Sequence, residues 1–264
     1  MEPITIAILA KDKAHTLPFF LHCIHNQTFP KQHIHLYIRT NDNTDETAII
    51  LQEFIETNGK EYKSVYFDQS SVSEKLKQWP QHKWNKERFK ILGKIRQESI
   101  EYAKQIDSHY FVIDCDNFIT SETLQTMYNS REKGVLGPML QSTSLYSNFH
   151  YVVNPQGYHI SGNPMYMKLY KRKICGIYPV KVIHCTYFIN KDRLNNVLYN
   201  DGSGRHEYVI FSDNLRKNNI EQYLDNREQY GFLTMAVTKE QFANEIQKHW
   251  SELLRTKFKG ASPP

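Results

Sequence analysis

The chain opens on a nearly unbroken apolar run, "ITIAILA" (4–10), which reads as a strand buried on both faces. The spacing then turns helical at "HTLPFFLHCIHNQ", with Thr16 as N-cap and Pro18 in the first turn. "HIHLYIRT" (33–40) predicts a second strand, followed by a helix from about Asp45 to Asn58 with Gly59 in the C′ position. "KSVYFD" (63–68) is a third strand, and the polar stretch "QSSVSEKLKQWPQHKW" after it is too long for a simple connection. From Lys86 to about Ile106, Phe89, Leu92, Ile95, Ser99 and Ala103 recur at helical spacing, and "HYFVID" (109–114) predicts a fourth strand.

Strands alternating with helices in this way imply an α/β fold, a mostly parallel central sheet with helices on both faces. Ligands of such sheets bind beyond the carboxyl ends of the strands. That edge holds the end of "YFVIDCDNFIT" (110–120) and the turn "TNDNTDET" after the second strand. Past residue 130 the pattern shortens and predicts further strands in "GVLGPML", "NFHYVV", "MYMKLY" and "PVKVIHCTYFI". A helix is expected near Glu207 and a terminal helix from about Lys239 to Phe258. No repeat or linker interrupts the chain, so 1–264 reads as one domain whose second half, from about residue 121, builds on the first.

A strand core does not favour the two carboxylates that end the fourth strand. Side chains two apart share a face, with Cα atoms roughly 6.5–7 Å apart, so Asp114 and Asp116 look the same way. Like charges this close favour a cation between them, or else one takes up a proton. One use is transfer from a nucleotide diphosphate, whose developing charge a carboxylate-held Mg2+ or Mn2+ neutralises. Another is an aspartyl-phosphate phosphatase, although that motif normally sits on the first strand and is followed by Thr, whereas this one reads "DCDNF". The plain alternative is helix capping, for which Asn117, Thr120 and Ser121 are better placed. A third ligand is available in His184, within the otherwise apolar "VIHCTYFI" on a face with Val182, Thr186 and Phe188; a satisfied core histidine is the other reading.

Composition adds exclusions. The 264 residues are 40% hydrophobic and 23% charged, ordinary for a globular protein, and no apolar run approaches the ~18–20 residues that cross a bilayer. A net charge of +5 without a concentrated basic stripe argues against nucleic acid as a partner. Cys23, Cys115, Cys175 and Cys185 form no CxxC pair; free thiols in a reducing compartment are expected, with a Cys175–Cys185 bridge left open. "MEPITIAILAKDKAH" does not read as a signal peptide, because Glu2 occupies the basic n-region. The aromatic content of 13% suggests a homodimer.

Taken in order, "ILAKDKAHTLPFFL", "LYIRTNDNTDET", "KWNKERFKILGKIRQESI", "YFVIDCDNFIT", "GPMLQSTSLYSNF", "PVKVIHCTYFI" and "DNREQYGFL" resemble the collagen glycosyltransferase family, the procollagen galactosyltransferases and their relatives in animals and giant viruses. The resemblance implies a GT-A fold with a nucleotide-binding half and an acceptor-side half. It implies a UDP-glucose or UDP-galactose donor, Mn2+ (or Mg2+), and hydroxylysine or galactosyl-hydroxylysine of a collagen-like polypeptide as acceptor. It makes Asp114, Asp116 and His184 the metal ligands. Asn43 and Asp45 would line the uridine pocket, Lys94 would reach the phosphates, and Tyr146 and Asn148 would border the donor sugar or the acceptor. Glu207 would be the base or a clamp on the acceptor hydroxyl, or else a helix N-terminal acid favoured by the dipole. His206-Glu207 stands where animal relatives carry paired aspartates, and His150 where a tryptophan is common. The chain ends "KGASPP" without the retention tail of animal relatives, so the expected compartment is the cytoplasm, a host's if the protein is viral. A polysaccharide or glycolipid acceptor, or a catalytically silent subunit, are the alternatives.

Overall fold

A computed structural model describes residues 1–72 and 85–247. Strand β1 (Ile4–Ala10) pairs in parallel with β2 (Ile34–Thr40) and β4 (His109–Asp114), and β2 pairs in parallel with the edge strand β3 (Ser64–Asp68). Every residue of β2 is buried, as are all of β1 except Leu9 and all of β4 except Asp114. Burial of alternate and intervening residues alike means that both faces of the sheet are covered, as the apolar runs imply. Beyond β4 the sheet becomes mixed. Strand β11 (Thr186–Ile189) runs antiparallel to β4 and to β6 (Val135–Pro138), and β12 (Gln222–Asp225) and β9 (Ile177–Val180) complete an eight-stranded sheet in the order β3-β2-β1-β4-β11-β6-β12-β9.

The first helices fall where the start signals lie: α1 (Leu17–His25) with Pro18 in its first turn, α2 (Thr47–Asn58), and α3 (Lys86–Gln105), whose N-cap Asn85 accepts a hydrogen bond from the Arg88 amide at 2.9 Å. Two short strands, β5 (Asn117–Ile119) and β7 (Leu140–Gln141), flank β13 (Gly231–Leu233) in a second sheet. There Phe118 packs its ring 5.1 Å from Phe19 of α1, 5.0 Å from Phe232 and 5.0 Å from Phe242 of α7 (Lys239–Glu245).

Several expectations need correction. "MYMKLY" is not a strand but lies in helix α5 (Pro164–Tyr170), because Asn163 accepts from the Met165 and Tyr166 amides and Pro164 sits at the first position. Gly59 has φ −59° and carries α2 into a turn of 3-10 helix, so it is not the left-handed cap the sequence suggests. "PVKVIHCTYFI" is not one strand; it divides into β9, β10 (Val182–Ile183) and β11, with His184 and Cys185 in the break. No Cys175–Cys185 bridge forms, and all four cysteines are free. The short β8 (Phe149–His150) pairs with β10, α4 (Thr123–Asn129) follows β5, and α6 (Glu207–Lys217) begins where the sequence places it. The long polar loop from 73 to 84 and the terminal helix beyond 247 lie outside the described residues. Among those described, no helix is long and apolar enough to cross a membrane.

Strand β13 approaches β5 so closely that a Cβ on Gly231 would stand 1.9 Å from the Phe118 carbonyl oxygen. Gly231→Ala should force the two strands apart and cost roughly 1–3 kcal/mol. Urea unfolding measures this directly, and an unchanged midpoint would show that the ladder yields without loss.

Candidate active site

A cavity of about 320 Å³ opens beyond the carboxyl ends of β1, β2 and β4, as expected for a sheet of this kind. Its floor carries Asp114 and Asp116, and its wall His184, Cys185, His206, Glu207 and Tyr208. The loop after β1, Lys11-Asp12-Lys13, forms another side with Arg39 and Asn41 from the end of β2. Arg88 and Arg96 enter from α3, and Tyr146 and Met235 stand at the rim, 38% and 55% exposed.

Both aspartates have basic partners. Arg96, whose side chain is 5% exposed, donates to Asp114 at 2.7 Å and lies 3.5 Å from Glu207, so one guanidinium serves two carboxylates. Lys13 donates to Asp116 at 2.8 Å. Burial pushes the Asp114 carboxyl above its usual range, against the pull of Arg96. Burial would also raise Glu207, but His206, paired with it, and Arg96 outweigh that effect and hold its carboxyl below the ordinary value. Glu207 opens α6, where the helix dipole also favours a negative charge. Burial works against the Lys13 ammonium, yet Asp116 keeps its pKa above the usual lysine value.

His184 is 2% exposed, and burial keeps its imidazole well below the ordinary histidine range. Its Nδ1 lies 2.8 Å from Cys185 Sγ, while Nε2 has no hydrogen-bond partner. Rings of Tyr146, His150 and Tyr208 stand 5.6, 4.8 and 5.3 Å from it. His150 itself lies between His184 and His159, its ring tilted against both, and is pushed down to about 4 by burial, so at neutral pH this wall carries no charge from it.

Other residues singled out in the sequence fall elsewhere. The Asn43 side-chain oxygen accepts from the Asp12 amide at 3.0 Å, and Asp45 accepts from the Ala14 and Thr47 amides at 3.0 Å each. These two residues tie the turn after β2 to the loop after β1 and do not line the cavity. Lys94 points outward, 67% exposed and 3.8 Å from Glu98. Asn148 is fully buried, accepting from Leu140 and donating to the Pro138 and Thr186 carbonyls, and it pins β6 and β7 to β11. Lys13, Arg96 and Tyr208, like Lys11, Arg39 and Arg88, are lining residues that the sequence reading passes over. A signal for Arg96 exists: with Leu92, Ser99 and Ala103 it lies on one helical stripe, a charge on the face that packs inward.

The fold is shared with solved sugar transferases. S. aureus TarS (residues 1–349, in complex with UDP-GlcNAc) matches at a TM-score of 0.56 and 14% identity, over 89% of this chain and 59% of that one. The Pyrobaculum calidifontis mannosyltransferase PcManGT, in complex with GDP-Man and Mn2+, matches at 0.54 and 12%, over 100% of this chain and 66% of that one. The molecule therefore has the GT-A glycosyltransferase fold. A model of the glycosyltransferase family 25 N-terminal domain covers residues 2–256, and the chain belongs to that family. Procollagen galactosyltransferase 2 of Mus musculus is 30% identical over 250 residues, 91% of this chain and 40% of its own length. A second mouse relative, named inactive glycosyltransferase 25 family member 3, is 26% identical over 96% of this chain and 44% of its own. The chain thus spans about two fifths of the length of these curated relatives.

Removing the guanidinium would leave Asp114 on the cavity floor without its counter-ion and Glu207 on the wall with His206 alone. Arg96→Met should therefore lower stability by about 3–5 kcal/mol. Chemical unfolding provides the check; a loss under 1 kcal/mol would mean that water or His206 replaces the missing charge.

Proposed function

We propose that this chain performs metal-dependent hexosyl transfer, moving glucose or galactose from a UDP-sugar to hydroxylysine, or to a galactose already attached to it, on a collagen-like polypeptide. The observation that carries this reading is the meeting of Asp114, Asp116 and the unpartnered Nε2 of His184 around one cavity at the sheet edge, in a chain with relatives named procollagen galactosyltransferases. Two carboxylates and an imidazole form a donor set that suits Mn2+ or Mg2+. Among the described residues no three His, Cys, Asp or Glu side chains form a preformed cage, so phosphate oxygens and water would complete the shell. When bound, such an ion neutralises charge on a departing diphosphate. The charge balance supports the need for one. Lys11, Lys13, Arg39, Arg88 and Arg96 face Asp12, Asp114, Asp116 and Glu207 in the cavity lining, a surplus of one positive charge and less than a diphosphate carries.

The chain's own residues supply the rest. Lys13 and Arg96 hold the aspartates in place before the donor arrives. Glu207, kept ionised, takes the proton of an attacking hydroxyl if displacement at the sugar carbon is direct and a β-linked product forms. If an α-glucoside forms with retention, Glu207 acts as a clamp on the acceptor. Tyr146 and Tyr208 border the space left for the sugar. A silent UDP-binding module is the second reading, favoured by the relative named inactive and by aspartates that already have basic partners.

Calorimetric titration with UDP separates the two. Binding that needs Mn2+ supports the transferase, whereas absent or metal-independent binding would count against it. Asp116→Ala should abolish both turnover and metal-dependent UDP affinity while the fold survives, and retained turnover would remove Asp116 from the site. Glu207→Gln should lower kcat about 100-fold or more with UDP binding spared. Near-normal turnover would return Glu207 to a helix-capping role. A screen of UDP-glucose and UDP-galactose against hydroxylysine and galactosyl-hydroxylysine peptides, with the anomeric configuration of the product read by NMR, fixes donor, acceptor and stereochemistry together.

A further inference from the structure

In a regular strand His184 and Cys185 would point to opposite faces. Between β10 and β11 they do not. Cys185 has φ 63°, and the Thr186 amide donates to the His184 carbonyl at 2.6 Å, closing a three-residue turn. The turn is held from both sides: the His184 amide donates to the Asn148 carbonyl at 3.0 Å, and the Cys185 carbonyl accepts from the Asp114 amide at 3.0 Å. As a result Cys185 Sγ meets His184 Nδ1, and Nε2 is left buried and unpartnered in a side chain that lines the cavity. A left-handed cysteine is uncommon and costs roughly 1–2 kcal/mol, so this arrangement is retained against a local penalty.

The geometry points to Cys185 as a positioning residue that selects the tautomer of His184. Its sulfur accepts the Nδ1 proton, leaving the lone pair of the buried, unpartnered Nε2 facing the cavity. Packing of Tyr146, His150 and Tyr208 against the imidazole keeps the ring from turning over. A histidine that ligates a metal needs such a fixed tautomer, and the partner on its other nitrogen is what fixes it. The inference rests on the reading that the cavity takes a divalent ion, but the tautomer is a property of the metal-free protein and can be read there.

The test is long-range proton–nitrogen correlation NMR on the full chain, labelled with nitrogen-15 histidine and treated with chelator, with His184 assigned from a His184→Gln variant. His184 should carry its proton on Nδ1. Cys185→Ser, which keeps a hydroxyl donor and acceptor, should preserve that pattern. Cys185→Gly suits the turn's backbone and removes the side chain with its sulfur; the two tautomers should then mix, and Mn2+ affinity in the presence of UDP should fall about tenfold or more. A proton on Nε2 in the unmodified protein would overturn the assignment. So would a glycine variant with unchanged tautomer and unchanged Mn2+ affinity. Failure of the unmodified protein to bind Mn2+ at all would strike the metal reading and leave the tautomer assignment standing.

Discussion

Four carboxylates, Asp12, Asp114, Asp116 and Glu207, line one cavity in this protein, and burial denies the deepest of them full solvation. Arg96 resolves much of that conflict by placing a single guanidinium between Asp114, at the end of β4, and Glu207, at the start of α6. These residues lie far apart in the chain, so the ion pairs also fix how the second half of the domain sits on the first. Helix α3 can deliver Arg96 to that position because residue 93 is glycine. A Cβ there would stand 2.7 Å from the Tyr199 carbonyl oxygen and hold the helix away from the segment leading into α6.

Around this centre the loops are locked by side chains rather than by regular structure. Asp12 accepts from the Thr44 amide and Asn43 accepts from the Asp12 amide, so the ends of β1 and β2 brace each other. Asp12 and Asp42 take left-handed backbone conformations, tolerable for a short polar side chain that can bond locally. The result is a rigid rim whose charged groups are already paired. Any ligand of the cavity must exchange partners with Lys13 and Arg96 rather than meet free charges.

Strands β1 to β4, helices α1 to α3 and the placement of Asp114 and Asp116 at the sheet edge were legible along the chain. Each depends on local periodicity and on the rule that parallel sheets bind ligands beyond their carboxyl ends. The second half was less so, since its strands are two to four residues long and too short to show a period. "MYMKLY" alternates like a strand, yet the Asn163-Pro164 start signal before it decides the matter. Asn148 was singled out for chemistry, but it spends its amide on backbone groups of β6 and β11, a demand visible only once those strands are neighbours.

The order of residues alone determined which segments could be buried strands and that a carboxylate closes the fourth, because apolar runs need nothing beyond the next few residues. Strand β4 ends at Asp114 and Asp116 lies in the turn before β5, so strand alternation is not what brings the two to one cavity. It could not determine the counter-ions. Lys13 finds Asp116 across 103 positions, and Arg96 finds Glu207 across more than a hundred. Nor could it show that the strand around His184 breaks at Cys185, since that turn is held by Asn148 and Asp114 from other elements. Electrostatic pairing and backbone hydrogen bonding act through space, so only the tertiary structure decided which charges are neutralised and which imidazole nitrogen is left open.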